Sequence, residues 1–394
     1  MQTFTDPAKK ENYFLSQPHQ PFFLSAIVWA MVSMLIFGIA YKLQLKGSVF
    51  LSVDSTMFHM YSLIFIVMTE VFIGFLYTTF PKFCQTEVVS KAYYLLTFGL
   101  FQVGSLLFMM GSFVSIKVVI LAMMILFLGL ATFLYRLLAI YRASTSSMKQ
   151  DQLWILIALA IGFISSILSI VQLYLEVDLY AYKIAFILYV TFLTFSVAQR
   201  MVPFFSHSQA EKPPYLLALV FGLLVAKVLA NITDYIYIAT FVDLILSVLL
   251  FREFLRWKLN FKMAPAILKI LHVALFWLPI GLFLGAVVDM VGFFTEMSFV
   301  FAQTHLIALG FIITMLIGFG TRVTLGHSGQ PPHADRTTLW IFYMTQALVI
   351  ARLLFSLGFD AGLFWLFDLS LLLWLMLFGF WMWKFSPILV RGKK

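Results

Sequence analysis

Twelve runs of roughly twenty apolar residues, nearly free of charge, dominate this chain, and only the hydrocarbon core of a bilayer solvates such runs. They fall near residues 22–41, 57–80, 91–111, 114–135, 153–175, 181–203, 214–232, 235–251, 266–288, 297–320, 338–357 and 362–383. Of 394 residues, 62% are hydrophobic and 11% charged, whereas a soluble domain carries about 25% charged residues. A water-soluble fold is excluded. The runs are continuous rather than alternating, which argues for helices over the strands of a β-barrel. The expected class is all-α, a polytopic membrane bundle of about twelve transmembrane helices. It divides into an N-terminal segment 1–20, one transmembrane domain 21–385 and a basic tail 386–394.

Punctuation falls where spans should end, at Pro81, Pro203, Pro213–Pro214, Pro265 and Pro331–Pro332, while Pro279 lies inside the ninth run. Such breaks are those expected of helix termini. Lys and Arg divide unevenly between the two sides. Counting twelve spans from a cytoplasmic N-terminus, the even loops and both tails hold Lys9, Lys10, Lys82, Arg136, Arg142, Lys149, Arg252, Arg256, Lys258, Lys262, Arg391, Lys393 and Lys394, among others. The odd side keeps only Lys42, Lys46, Lys117, Lys183, Lys227 and Arg352, and carries Asp54, Glu176, Asp178, Asp234, Asp289 and Glu296. The positive-inside rule therefore sets both termini in the cytoplasm. The net charge of +9 reads as this orientation signal and not as a nucleic-acid surface. The first run is too long for a signal-peptide core, so removal of the N-terminus is not expected. Cys84 is the single cysteine, which excludes an intramolecular disulfide framework and any Cys-rich metal site.

No internal repeat is evident beyond one echo. Arg200 is followed by His207, Ser208 and Pro213–Pro214, and Arg322 by His327, Ser328 and Pro331–Pro332. The two stretches end spans six and ten, an offset of four spans, whereas duplicated halves would echo at six.

Polar groups inside a bilayer are costly, so they carry the functional information. The histidines are His19, His59, His207, His272, His305, His327 and His333. His59 opens span two at the acidic side, and His305 lies about 10 Å inside the same end of span ten. His272, His207 and His327 belong to the basic side. His305 and His327 are 22 residues apart, about 33 Å along a helix, so they cannot share one metal. His59 and His305, from different helices at similar depth, can present imidazoles to opposite faces of a planar haem. The alternative is that each histidine bonds a neighbouring helix. Glu70 follows His59 by 11 residues, which on a regular α-helix places both on one face, roughly 16 Å apart. It is a candidate proton relay, with Tyr61 and Gln303 as supporting polar groups. Arg200 and Arg322 either snorkel to lipid phosphates or pair with carboxylates such as haem propionates. Gly310, Thr314 and Gly318 form a ladder of small residues that admits a close neighbour. No phosphate-binding loop, dinucleotide fingerprint or Ser/His/Asp arrangement occurs.

At these residues the chain resembles the NnrS family of bacterial haem- and copper-containing membrane proteins. The strongest likeness runs from His305-Leu-Ile-Ala-Leu-Gly through Thr321-Arg322-Val-Thr-Leu-Gly326-His327-Ser-Gly329. Pro21-Phe22-Phe23-Leu24, Gly74-Phe75-Leu76, Arg200-Met-Val-Pro203-Phe204-Phe205 and His272 also fit. One departure stands out. Where the family opens span two with Trp-His-x-His-Glu-Met, this chain has Phe58-His59-Met60-Tyr61-Ser62-Leu63, so the second histidine and the glutamate are replaced. The resemblance implies haem b, copper and a role with nitric oxide, in the bacterial inner membrane. His59 and His305 would form an outer haem or metal site. His272 and His327, with His207, would form an inner metal site, with Arg200 and Arg322 nearby. The competing readings are a secondary transporter without a redox cofactor, with Glu70, Lys227 and Arg352 as coupling charges, and a sensor or non-catalytic subunit. Nucleic acid is not an expected partner.

Overall fold

The computed structural model describes residues 12–147, 149–259, 261–295 and 297–392. Lys9, Lys10, Glu296, Lys393 and Lys394, which entered the charge argument, lie outside them. Among the described residues there are twelve long helices and no strand. In chain order they are α1 (His19–Leu45), α2 (Ser55–Cys84), α3 (Lys91–Gly111), α4 (Ile116–Arg142), α5 (Gln150–Leu175) and α6 (Ala181–Phe205). There follow α7 (Leu216–Ile232), α8 (Ile236–Arg256), α9 (Ala266–Thr295), α10 (Ala302–His327), α11 (Arg336–Leu357) and α12 (Trp365–Arg391). Ten are long and apolar enough to cross a bilayer. The other two are α7, with 17 residues, and α8, which carries Asp243, Arg252, Glu253 and Arg256.

Side chains at the loop ends start several of these helices. Asp54 accepts from the backbone N–H groups of Thr56 and Met57, Ser115 from Val118, and Asp335 from Thr338, satisfying donors that the first turn leaves open. The last helix runs further than its composition suggests. Phe385 and Leu389, one turn apart, remain buried, so α12 continues through Pro387 to Arg391 and the basic tail begins inside the helix.

The twelve helices fall into three sets of four. Within each set the first helix packs on the second and the third on the fourth; α4 then packs on α5, α8 on α9, and α12 returns to α1, closing a ring. The second member of each set (α2, α6, α10) stands inside it. These three central helices are 78–89% buried across their apolar windows, against 39–61% for the other bilayer-length helices.

The central helices share one local construction. Each contains a π-helical segment, Ser62–Met68, Ala185–Thr191 or Leu306–Ile313. At the end of each, a threonine hydroxyl donates to the carbonyl five residues back: Thr69 to Ile64 (2.7 Å), Thr191 to Phe186 (2.8 Å), Thr314 to Leu309 (2.8 Å). Each helix then stops at a left-handed residue, Gln85, His207 or Gly329, after which a backbone N–H reaches the carbonyl five back: Thr86 to Pro81, Ser208 to Pro203, Gln330 to Leu325. Such reversals cap helix ends. The chain is therefore built on a threefold internal repeat with a period of four helices. The echo between spans six and ten belongs to this repeat only in part: His207 is the left-handed residue that ends α6, whereas His327 is still helical and Gly329 takes that place in α10, as Gln85 does in α2.

Helix α5 packs closely on this centre. A methyl group on Gly162 would sit 2.6 Å from Cγ of Tyr189, whose hydroxyl lies 2.9 Å from Thr69. Since the Thr69 proton goes to Ile64, Tyr189 donates to it. Gly162→Ala is expected to destabilise the protein by about 1–3 kcal/mol through overpacking. Thermal unfolding in detergent checks this, and an unchanged midpoint would contradict it.

Candidate functional site

The three central helices do not meet uniformly. The π segments of α2 and α6 touch, as do those of α6 and α10, whereas α2 and α10 meet through their halves toward the basic side. Toward the acidic side α2 and α10 part around a partly open cavity of about 160 Å³. Its walls are apolar, with Met34, Phe37, Leu63, Ile64, Leu309 and Trp374 among them. His59, His305 and Arg352 bring the basic nitrogens, and no acidic side chain lines it.

Each of the three is held differently. His305 closes the first turn of α10, just before the π segment, with Nδ1 2.9 Å from the Phe301 carbonyl. A carbonyl only accepts, so Nδ1 carries the proton and Nε2 keeps its lone pair for coordination. Phe301 itself has left-handed backbone (φ 53°) at the start of α10. His59 stacks on Phe37, with ring centres 4.2 Å apart and planes 21° from parallel, and its Nδ1 is buried without a partner. Arg352, on α11, sits with its guanidinium 4.5 Å from the Phe355 ring centre, and its Nη1 is buried and unpartnered. The outer pair expected from the sequence is therefore brought together on one cavity, and Arg352 joins it.

The supporting groups lie elsewhere. Glu70 is fully buried but points away from the cavity: Ser25 on α1 hydrogen-bonds its Oε2, and Gln102 on α3 donates to Oε1 at 3.0 Å. The expectation that it shares a face with His59 fails because the intervening π segment advances less per residue than an α-helix. Tyr61 packs on Phe65 and Phe108, with ring centres 5.0 and 4.7 Å away. Gln303 belongs to a buried triangle. Lys227 Nζ lies 2.6 Å from each Asp243 carboxylate oxygen and 2.7 Å from Gln303 Oε1, and Gln303 Nε2 lies 2.6 Å from Asp243 Oδ2. None of Glu70, Tyr61 and Gln303 lines the cavity. Glu70, Lys227 and Arg352, the charges a transporter would need, occupy three unconnected settings.

At the basic side the expected inner set separates. His272 Nε2 is 2.7 Å from Ser206 Oγ, with Phe261 edge-on to the ring. His207 is exposed at the end of α6. His327 instead meets His19, the first residue of α1, with ring centres 4.9 Å apart, and its Nδ1 is 2.5 Å from Gln17 Oε1. Among the described residues no three His, Cys, Asp or Glu side chains gather as a metal site. Arg200 pairs with Asp151 (3.0 Å) and lies over Phe83, while Arg322 lies 3.9 Å above the Phe205 ring. Neither reaches the His59–His305 cavity. Sequence reasoning left His19 unassigned and treated Arg352 only as a transport charge. The rarity of a cation inside a span was the one available signal for Arg352.

Comparison with known proteins gives one family: the NnrS protein family model matches residues 13–393. No curated protein matches the chain.

Proposed function

Because the chain belongs to the NnrS family of nitric-oxide-related membrane proteins, we propose that it holds haem b in the α2–α10 cavity and handles nitric oxide there. His59 and His305 would hold the haem. The observation that carries the reading is that these two imidazoles, from separate central helices, border one apolar cavity without an acid in its walls.

The residues suit that group. The Phe301 carbonyl sets the His305 tautomer and orients its ring, the usual arrangement of a ligating histidine. Phe37 holds His59 in plane by stacking. The surrounding Leu, Ile, Met and Phe side chains keep water out and lower the local polarity, which tunes a bound iron. Haem bound here would supply an iron able to accept and release an electron and to bind nitric oxide. Nitric oxide, small and neutral, reaches an intramembrane site through lipid.

His19 and His327 are where a copper ion would be held. Imidazole nitrogen suits copper, and Gln17 orients His327 through its other ring nitrogen. The excess of Lys and Arg on the tail side supports a bacterial cytoplasmic membrane location with both termini inside. The test is an oxidised and reduced optical spectrum of purified protein, with iron and copper analysis. A low-spin haem spectrum stoichiometric with the chain is expected. A folded, colourless and iron-free preparation from haem-replete cells would overturn the reading.

A further inference from the structure

We infer that Arg352 is the anion anchor of the α2–α10 cavity, binding a carboxylate on the edge of the planar ligand that His59 and His305 hold. This rests on the haem reading and extends it to the propionates.

The charge balance of the bundle points there. Several cations elsewhere have carboxylate partners: Lys227 has Asp243, Arg200 has Asp151, Arg256 has Glu253 and Lys384 has Asp335. Arg352 forms no such ion pair among the described residues. It lies on a cavity wall without Asp or Glu, and Nη1, buried and without a partner, is left with its donor capacity unused. A buried charge without a counter-charge is unfavourable, so the position favours an anionic occupant. Arg136 and Arg322 also lack a carboxylate among the described residues, but they lie over Tyr93 and Phe205 and outside the cavity.

The chemistry is that of a carboxylate. A guanidinium presents a planar fork that matches the two oxygens of a carboxylate. Stacking on Phe355 fixes the plane of that fork before a ligand arrives. Arg352 lines the same cavity as His59 and His305, so one ligand can engage all three. A lipid phosphate offers related chemistry, and the experiment separates the two sources.

The full-length chain, produced without haem, is reconstituted with haem b or with its dimethyl ester, which has the same ring and no carboxylates. The wild-type chain should bind the acid form more tightly by about tenfold or more, the worth of a charged hydrogen bond. Arg352→Met should abolish the preference, and Arg352→Lys should keep part of it. Equal binding of the two forms by wild type would overturn the anchor, and is the result expected if Arg352 instead serves a lipid phosphate. The wild-type comparison stands even if Arg352→Met does not fold. Uptake of neither form by folded wild type would instead sink the haem reading, and the anchor with it.

Discussion

Lys227→Met is expected to lower the stability of the protein by about 3–5 kcal/mol, the cost of leaving one member of a buried ion pair without its partner. Lys227 and Asp243 side chains are 5% and 2% exposed, so water cannot replace the lost contact. After substitution Asp243 keeps only the Gln303 amide. The pair also ties α7 and α8 to the first turn of α10, beside His305, and Gly285 on α9 leaves the room for Gln303: a methyl group there would stand 2.1 Å from its amide nitrogen. Lys227→Met with Asp243→Leu should recover most of the loss, because the penalty lies in the orphaned carboxylate and not in the attraction forgone. Unfolding in detergent, followed for both singles and the double, measures this. A single-variant loss below about 1 kcal/mol would place the pair with weak surface bridges.

The second large effect is expected at the cavity. His59→Ala or His305→Ala leaves one axial imidazole, so the low-spin spectrum should give way to a high-spin one that binds carbon monoxide. Haem affinity should fall by more than the roughly 10–100-fold that loss of a supporting partner costs. His305→Ala also removes the Nδ1–H donor to the Phe301 carbonyl, which keeps the backbone N–H of position 305. His272→Ala is the control, because that ring faces Ser206 and Phe261. Unaltered spectra in both cavity variants would move the haem elsewhere.

Much of the fold was legible in the sequence because solvent preference is local. A run such as 91–111 is apolar whatever it packs against, and it became α3 with those limits. The ladder of Gly310 and Gly318 was legible for the same reason; both lie against α9, near Trp277 and Leu271. The pairing of His59 with His305 was readable as a match of depth.

Other features were not. The repeat was hidden because it lives in helix geometry, three π segments each closed by a threonine, and lipid-facing positions accept almost any apolar residue. Glu70 was assigned to the wrong face because a constant helical period was assumed across a segment that lacks one. His327 was grouped with His272, since depth alone cannot tell which of several helices stands beside it; His19 does.

Residue type along the chain was sufficient to decide that this molecule is a bundle of helices in a bilayer, which stretch each helix occupies to within a few turns, and which costly polar groups lie at similar depth. Those properties depend on transfer from water to lipid, which each stretch expresses without knowing its neighbours. Which imidazoles share a cavity, which cation lacks a counter-charge and which is already neutralised were decided only by the ring of three four-helix sets, because lateral neighbours in a membrane are chosen by packing between distant segments.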